Sequence, residues 1–572
     1  MKKIYFTLAL LLSALYGCSG FLDQDNRSNV PSEDFYKTTT GFASLTNSAY
    51  STLRQLYNTQ PLLFVAGTDL YADGKAQGVV MGQYTFTADE GSIKDFYVNC
   101  FKGIQLANSV IHYGDVTADS NVRLQYVDEA RFLRAWYYFQ LVQQFGPVAL
   151  NKEMFDYAVM SHARTSLSDI YDFLISELTY LASSESNLLE RSNSEVGHAN
   201  KRAAAFYLAK VYLTRGWLDG QGYESQEANI AQSTDFENAA KYALEAINSE
   251  TPSISLESAF DVENEENSEI FWSIQFSAAS VENPVSDGSY QQAQFGTYLG
   301  GAEKPQNKSI DGNFAPSLRL QQLYSHGDAR LEQTFMLEFH QSYFDYYSAP
   351  TTSRIIYYYA PAWATDADIA AWKADDPYNL KQNTLVSKTI ATGGIAPSNG
   401  AAATYKDRRS QDYGTACIKK FDDYSAASIS NRSTTCSMHD VVVARLGEAY
   451  LIAAEAYVKQ SKLGEAANMI NLLRQRPGTV RSGYTTPMTV SASDMNIDFI
   501  LDERAREMAG EYVRWTDLKR THKLVQYVTQ YNEDGIKESA MIGTDGKYKT
   551  LRPIPQAAID LNQADVEQNP GF

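Results

Sequence analysis

The sequence predicts a mainly α protein, a scaffold of paired amphipathic helices carrying a loop-rich, partly β lobe. Three observations predict it. Apolar residues recur at helical spacing through most of residues 42–250 and again from 441, as in helices that bury one stripe. Three of these segments, 129–146, 202–216 and 445–460, carry Ala-x-x-Tyr in register, at Ala135/Tyr138, Ala209/Tyr212 and Ala454/Tyr457. Between 255 and 440 the periodicity yields to Gly/Pro/Asn/Ser stretches such as "IATGGIAPSNGAAAT". Loops that long inside a compact domain usually carry function.

At the N-terminus, Lys2 and Lys3 precede an apolar run from Ile4 to Tyr16. That run is too short to span a bilayer and has the anatomy of an export signal. Leu15-Tyr16-Gly17-Cys18 is similar to the bacterial lipobox, although Tyr16 is bulkier than that motif usually carries. Residues 1–17 then form a lipoprotein signal peptide, with Cys18 acylated and 18–40 a polar tether. Several acyl chains anchor stably where one would be marginal. The chain reads as an exported, lipid-tethered protein.

Residues 41–255 read as an N-terminal helical region. Segments 42–57 and 95–111 open it, and each Ala-x-x-Tyr helix is followed by a second one: "LSDIYDFLISELTYLAS", "FENAAKYALEAINS" and "LGEAANMINLLRQR". A small residue one turn from a tyrosine lets two helices approach while the ring fills the groove, the logic of tetratricopeptide hairpins. The spacing is irregular, so the array is degenerate. Within the lobe, 256–440, "EIFWSIQFS" (269–277) alternates like a strand. Residues 441–572 form a C-terminal region, helical to about 530 and then mostly coil.

Charge and motifs narrow the chemistry. A net charge of −19 over 572 residues argues against a nucleic-acid surface, which needs clustered Lys and Arg. There is no G-x-S-x-G, H-E-x-x-H or phosphate-loop pattern, and the seven His are scattered without metal-ligand spacing. No catalytic residue, metal site or cofactor is expected, a structural Ca²⁺ aside. Glu503, Glu507 and Glu511 fall at i, i+4 in "ILDERAREMAGEYVRWTDLKR" among Arg504, Arg506, Arg514 and Lys519. Facing carboxylates would suit a glycosidase, but three on one helix face among basic residues read as an ion-pair network. Cys100 reads as a small core residue, and Cys417 and Cys436 flank a polar loop, leaving a disulfide between them open.

Four separated motifs resemble the SusD/RagB family of outer-membrane lipoproteins from Bacteroidetes. They are "CSGFLD" after the signal, "EARFLRAWYYFQLVQQFGPVAL", "RLGEAYLIAAEAYV…INLLRQRPG" with "ILDERAREMAGEYVRWTDLKR", and the terminal "LRPIPQAAIDLN…QNPGF". The usual Gly-Asp-x-Pro exit of the second motif is altered to Gly146-Pro147. The resemblance implies a SusD-like α/α superhelix with four tetratricopeptide-like pairs. It also implies a non-catalytic, nutrient-binding protein, lipid-anchored at the outer membrane and facing the cell exterior, that caps a SusC-like TonB-dependent transporter and passes glycan into it. A RagB-like peptide receptor is the alternative; a surface glycoside hydrolase or an adhesin-type scaffold ranks lower.

Glycan sites combine flat aromatic faces with polar groups at the rim. Trp136, Trp217, Trp272 and Trp515 fall on framework segments and are expected in the core. Trp363 and Trp372, in "YYYAPAWATDADIAAWKADDPYNL", belong to no framework motif and are expected to face ligand. Tyr71, Asp73 and Tyr84 join them because sugar-binding members of the family use that loop. Tyr290, Tyr298 and Tyr343, in the lobe, complete the set.

Overall fold

The computed structural model describes residues 32–59, 62–74, 79–117, 120–156, 159–222, 229–277, 288–299, 307, 308, 310, 314–388, 412–425 and 437–572. A short α1 (Ser32–Tyr36) leads into α2 (Thr39–Thr59), α3 (Gly91–Gly114), α4 (Ser120–Phe145), α5 (Leu167–Ala182), α6 (Lys201–Gly216) and α7 (Asp235–Ile247). From α1 to α7, each helix packs on the next. Local chemistry sets the ends. Ser166 and Asn200 accept hydrogen bonds from the first-turn amides of α5 and α6, satisfying donors that no helical carbonyl can reach. Gly146 closes α4 at φ +67°, and a Cβ there would stand 2.9 Å from Leu551. Helix α4 is buried almost all round its central turns, from Phe132 to Phe139, which is why its sequence reads apolar on every side. Trp136 packs edge-on against Trp272, with centroids 5.8 Å apart. All four tryptophans expected in the core are there.

The chain then pairs strands that are distant in sequence. β1 (Tyr71–Asp73) lies antiparallel to β3 (Phe314–Pro316), and β2 (Ile270–Ile274) to β7 (Val441–Arg445). Two expectations are corrected here. β2 is buried on both faces instead of alternating, because Phe271 packs on Phe206 of α6 and Trp272 on Phe132 and Trp136 of α4. Residues 441–445 are that partner strand, not the start of a helix. A third sheet has the order β4 (Glu338–His340), β5 (Ile355–Ala360), β6 (Leu385–Lys388), with β5–β6 parallel. A parallel neighbour requires a crossover, and α8 (Asp366–Ala374) supplies it behind a Thr365/Asp368 capping box.

The scaffold resumes with α9 (Leu446–Lys459), which packs on α7 and pairs with α10 (Leu463–Arg474). The helical array thus continues across the entire insertion. Ala135, Ala209 and Ala454 are fully buried, as the in-register motif requires. Helix α11 (Ile497–Glu507) and α12 (Arg514–Arg520) carry the acidic motif. It is an ion-pair network, but a buried one whose partners come mostly from other elements. Glu503 takes Arg330 (3.0 Å), Arg474 (2.6 Å) and Arg506 (2.6 Å). Glu507 takes Arg330 (3.1 Å), Arg445 (2.8 Å) and Arg476 (2.9 Å). Glu511 stands beyond the end of α11, not on its face, and meets Arg445 at 2.7 Å. Burial would raise the Glu503 and Glu507 carboxyls, yet the surrounding guanidinium groups hold both below the usual range. Cys100 and Cys417 are free, buried thiols. Cys436 lies outside the described residues.

Candidate functional site

On the β4–β5–β6 sheet, alternation sorts the tyrosine run 357–359 between two faces. Tyr357 and Tyr359 point inward with Phe339: Tyr357 stacks on Tyr413 at 4.9 Å and the Tyr359 hydroxyl donates to the Tyr413 carbonyl at 3.0 Å. Tyr358 points outward, paired across the sheet with Glu338. The crossover helix α8 delivers Trp372 onto this outer face. Its ring stacks on Tyr358, with centroids 3.9 Å apart and planes 5° from parallel, and its indole N–H donates to Glu338 Oε1 at 2.5 Å. The Lys381 ammonium sits 4.4 Å from the Trp372 centroid, held by the Trp372 and Asp375 carbonyls.

A second stack stands beside it. Trp363 lies on the exposed His326 ring at 4.1 Å and 20°, with Arg481 Cζ 4.8 Å from its centroid and Tyr484 5.7 Å from His326. Arg481 pairs with Glu332 and donates to the His326 carbonyl at 2.6 Å. Burial pushes the Tyr358 hydroxyl up; Glu338, Glu332 and Asp368 add to this, and Arg481 opposes it. Both stacks therefore share one electrostatic neighbourhood. The Trp363 indole N–H has no acceptor among the described residues. A second half-buried aromatic pair, Tyr347 on Tyr424 at 4.6 Å, directs its hydroxyls to Asp422 and Asp261, each at 2.8 Å.

The surface holds flat rings, carboxylates and a guanidinium, a chemistry for binding polar molecules with apolar faces. Among the described residues no group of three His, Cys, Asp or Glu could hold a metal ion. The helical scaffold carries a different cleft of about 550 Å³. Glu190, Arg191, Lys201, Arg202, Glu245 and Glu250 are among its lining, which contains no aromatic ring.

Residues 217–572 match the SusD family, and residues 20–213 match a family described as starch-binding, associating with outer membrane. The chain belongs to the SusD family. Among SusD relatives, it is 25% identical over its full length to SusD-like protein P2 of Formosa agariphila, likewise covered in full. It is 26% identical to the starch-binding protein SusD of Bacteroides thetaiotaomicron, over 78% of this chain and 72% of that one. The surface glycan-binding protein A of B. thetaiotaomicron, solved with laminarihexaose, superposes with a TM-score of 0.64 at 18% identity. That superposition covers 93% of this chain and 99% of the other.

Within this SusD-family frame, the residues singled out from sequence separate. Trp372 lies on the outer sheet face against Tyr358, and Trp363 forms the neighbouring stack on His326. Tyr71, Tyr84 and Tyr343 are instead core residues with no exposed face to offer. The Tyr71 oxygen accepts from Gly510 N at 2.6 Å, Tyr84 donates to the Gly67 carbonyl at 2.8 Å, and Tyr343 donates to Asp422 at 2.7 Å. Asp73 is buried too, accepting from Gln83 Nε2 at 3.0 Å. Each ring fills the interior while its hydroxyl satisfies a local partner, the usual fate of a buried tyrosine. Tyr290 and Tyr298 are half-buried; the Tyr298 carbonyl accepts from Tyr413 N. Cys18 lies outside the described residues. Sequence reasoning missed Tyr358, His326, Arg481 and Tyr484. The alternation of the tyrosine run offered a signal for the first; nothing local marked the others.

Proposed function

We propose that this SusD-family chain captures glycan at the outer-membrane surface and passes it, without chemistry of its own, to a SusC-like TonB-dependent transporter. Acylated Cys18 tethers it there. The observation that carries the reading is the pair of aromatic stacks, Tyr358/Trp372 and Trp363/His326, rimmed by Glu332, Glu338 and Arg481. Sugar C–H faces pack on such rings, and hydroxyls take the carboxylates and guanidinium at the edges. Lys381 covers the second face of Trp372 on a flexible stem, so a sugar ring displaces its ammonium and meets it as a donor.

Affinity electrophoresis of soluble residues 19–572 through a panel of polysaccharides tests this. Retardation by at least one glycan is expected, with Trp363→Ala or Trp372→Ala weakening it about tenfold and Leu561→Ala having no effect. A chain that no glycan retards, or variants that bind as the parent does, overturn the reading. One observation favours a second reading, a peptide ligand: the 550 Å³ cleft has charges of both signs and no ring to seat a sugar. Binding of peptides alone, lost on Arg191→Ala, would select it.

A further inference from the structure

Large apolar side chains are exposed at only a few places among the described residues, and four of them share one end of the molecule. These are Phe35 in α1, Val116 just after α3, and Val122 and Leu124 in the first turns of α4, exposed by 36%, 53%, 40% and 40%. Local contacts hold these segments together. The Tyr36 and Tyr113 rings are 5.4 Å apart, and Phe42 meets Tyr126 at 6.1 Å. Behind them lies a small core of its own, formed by Phe42, Leu45, Ala107, Val110, Tyr113 and Ala130 and separate from the main one.

This end is also where the chain enters the fold. Ser32 opens α1, and by sequence only residues 19–31 separate it from Cys18. Fully extended, a tether of that length spans about 45 Å, less than the reach needed to turn the far side of a chain this size toward its anchor. The end bearing the four apolar side chains is therefore the one the tether holds nearest the bilayer. Charge cannot draw a chain of net −19 toward an anionic surface, whereas apolar side chains at an interface gain by leaving water.

We infer that the α1/α3/α4 end is a membrane-seating surface, with Phe35, Val116, Val122 and Leu124 resting in the headgroup region of the leaflet that holds the anchor. It rests on the proposed tether at Cys18 but not on glycan binding. The seating fixes the orientation of the lobe relative to the membrane, which an acyl anchor on a free linker does not.

The test replaces the acyl anchor so that its failure is separable. Residues 19–572, with Cys436→Ser and an N-terminal His tag, are bound to phosphatidylcholine vesicles containing nickel-chelating lipid. An environment-sensitive thiol dye is placed at Val116→Cys, Leu124→Cys or, as a control on the exposed face of α7, Leu244→Cys. The dye at 116 and 124 is expected to shift to the blue and to be quenched by nitroxide-bearing lipid, at low and high salt alike, while at 244 it does neither. Three labels that all report water overturn the inference. So does a response at 116 and 124 that arises only when a barrel transporter is reconstituted alongside, which would assign the surface to a protein partner. Lipidation is tested apart, by the membrane retention of the full chain with Cys18→Ala.

Discussion

Glu507 shows what single residues contribute here. Its carboxylate is fully buried and pairs with three guanidinium groups from three different parts of the chain, Arg330, Arg445 and Arg476, which other buried carboxylates share. Removing one member of a buried charge set leaves the others desolvated without compensation, so Glu507→Gln should cost roughly 3–5 kcal/mol. Urea unfolding checks this; a loss below about 1 kcal/mol would mean the arginines re-pair freely. A second buried set predicts a pH dependence. Both His439 ring nitrogens face acceptors, Nε2 the Phe260 carbonyl at 2.8 Å and Nδ1 the Asp440 carbonyl and Glu265. Burial opposes its charged form, but Glu265 raises its pKa overall. Burial, aided by Glu265, pushes Asp440 up to about 7. Both groups hold protons more tightly folded than unfolded, so their contribution is full at low pH. It is lost as pH rises through about 4 to 7 for Asp440 and above about 6.5 for His439. Carboxylates with lowered pKa, such as Glu507, act only in the acid range. The unfolding temperature should therefore fall from about pH 5 to about pH 8, and Asp440→Asn should flatten that fall.

At the scale of elements, close helix approach decides the packing. Gly103 in α3 lies so near Tyr137 in α4 that a Cβ would stand 2.3 Å from the ring. Gly→Ala in a helix ordinarily stabilises by about 0.5–1 kcal/mol, but here the clash should reverse the sign, costing about 1–3 kcal/mol. Thermal unfolding of Gly103→Ala settles which effect wins. The elements legible in the sequence were those whose signal is local. The helical period and the Ala-x-x-Tyr register placed α2, α3, α5 to α7, α9 and α10 within a few residues, and the end of α4 but not its start at Ser120. β7 was missed because its residues "VVVAR" run straight into an amphipathic helix, and only its distant partner β2 makes it a strand. Tyr71 and Tyr84 were misplaced for a related reason. A tyrosine in a loop looks available until the C-terminal segment that covers it, including Gly510, is brought across from the far end of the chain. Trp363 and Trp372 could be separated from the framework by elimination, but their stacking partners His326 and Tyr358 belong to other elements.

For the whole molecule, the anchor and the lobe make one prediction together. If acyl chains on Cys18 supply the attachment, Cys18→Ala should move the protein from the membrane to the soluble fraction while leaving its glycan affinity unchanged in the same electrophoretic assay. Membrane retention of the variant would remove the tether from the model of function; loss of glycan affinity would show that the two ends are not independent. The ties between the termini bear on a different matter. Asp69 is buried against Arg514 at 2.6 Å, Asn532 donates to the Thr68 carbonyl, and Arg552 donates to Leu63. None of these can form until residues 514–552 have crossed into the compartment where folding occurs, so a half-exported chain could close around Asp69 only by burying its charge without a partner, and stays open. The stretch between β3 and β7 is tied in as well, since its Arg330 is held by Glu503 and Glu507 and its Arg319 by Asp69 and Asp502, so whatever replaces it must bring those two charges back to the same places.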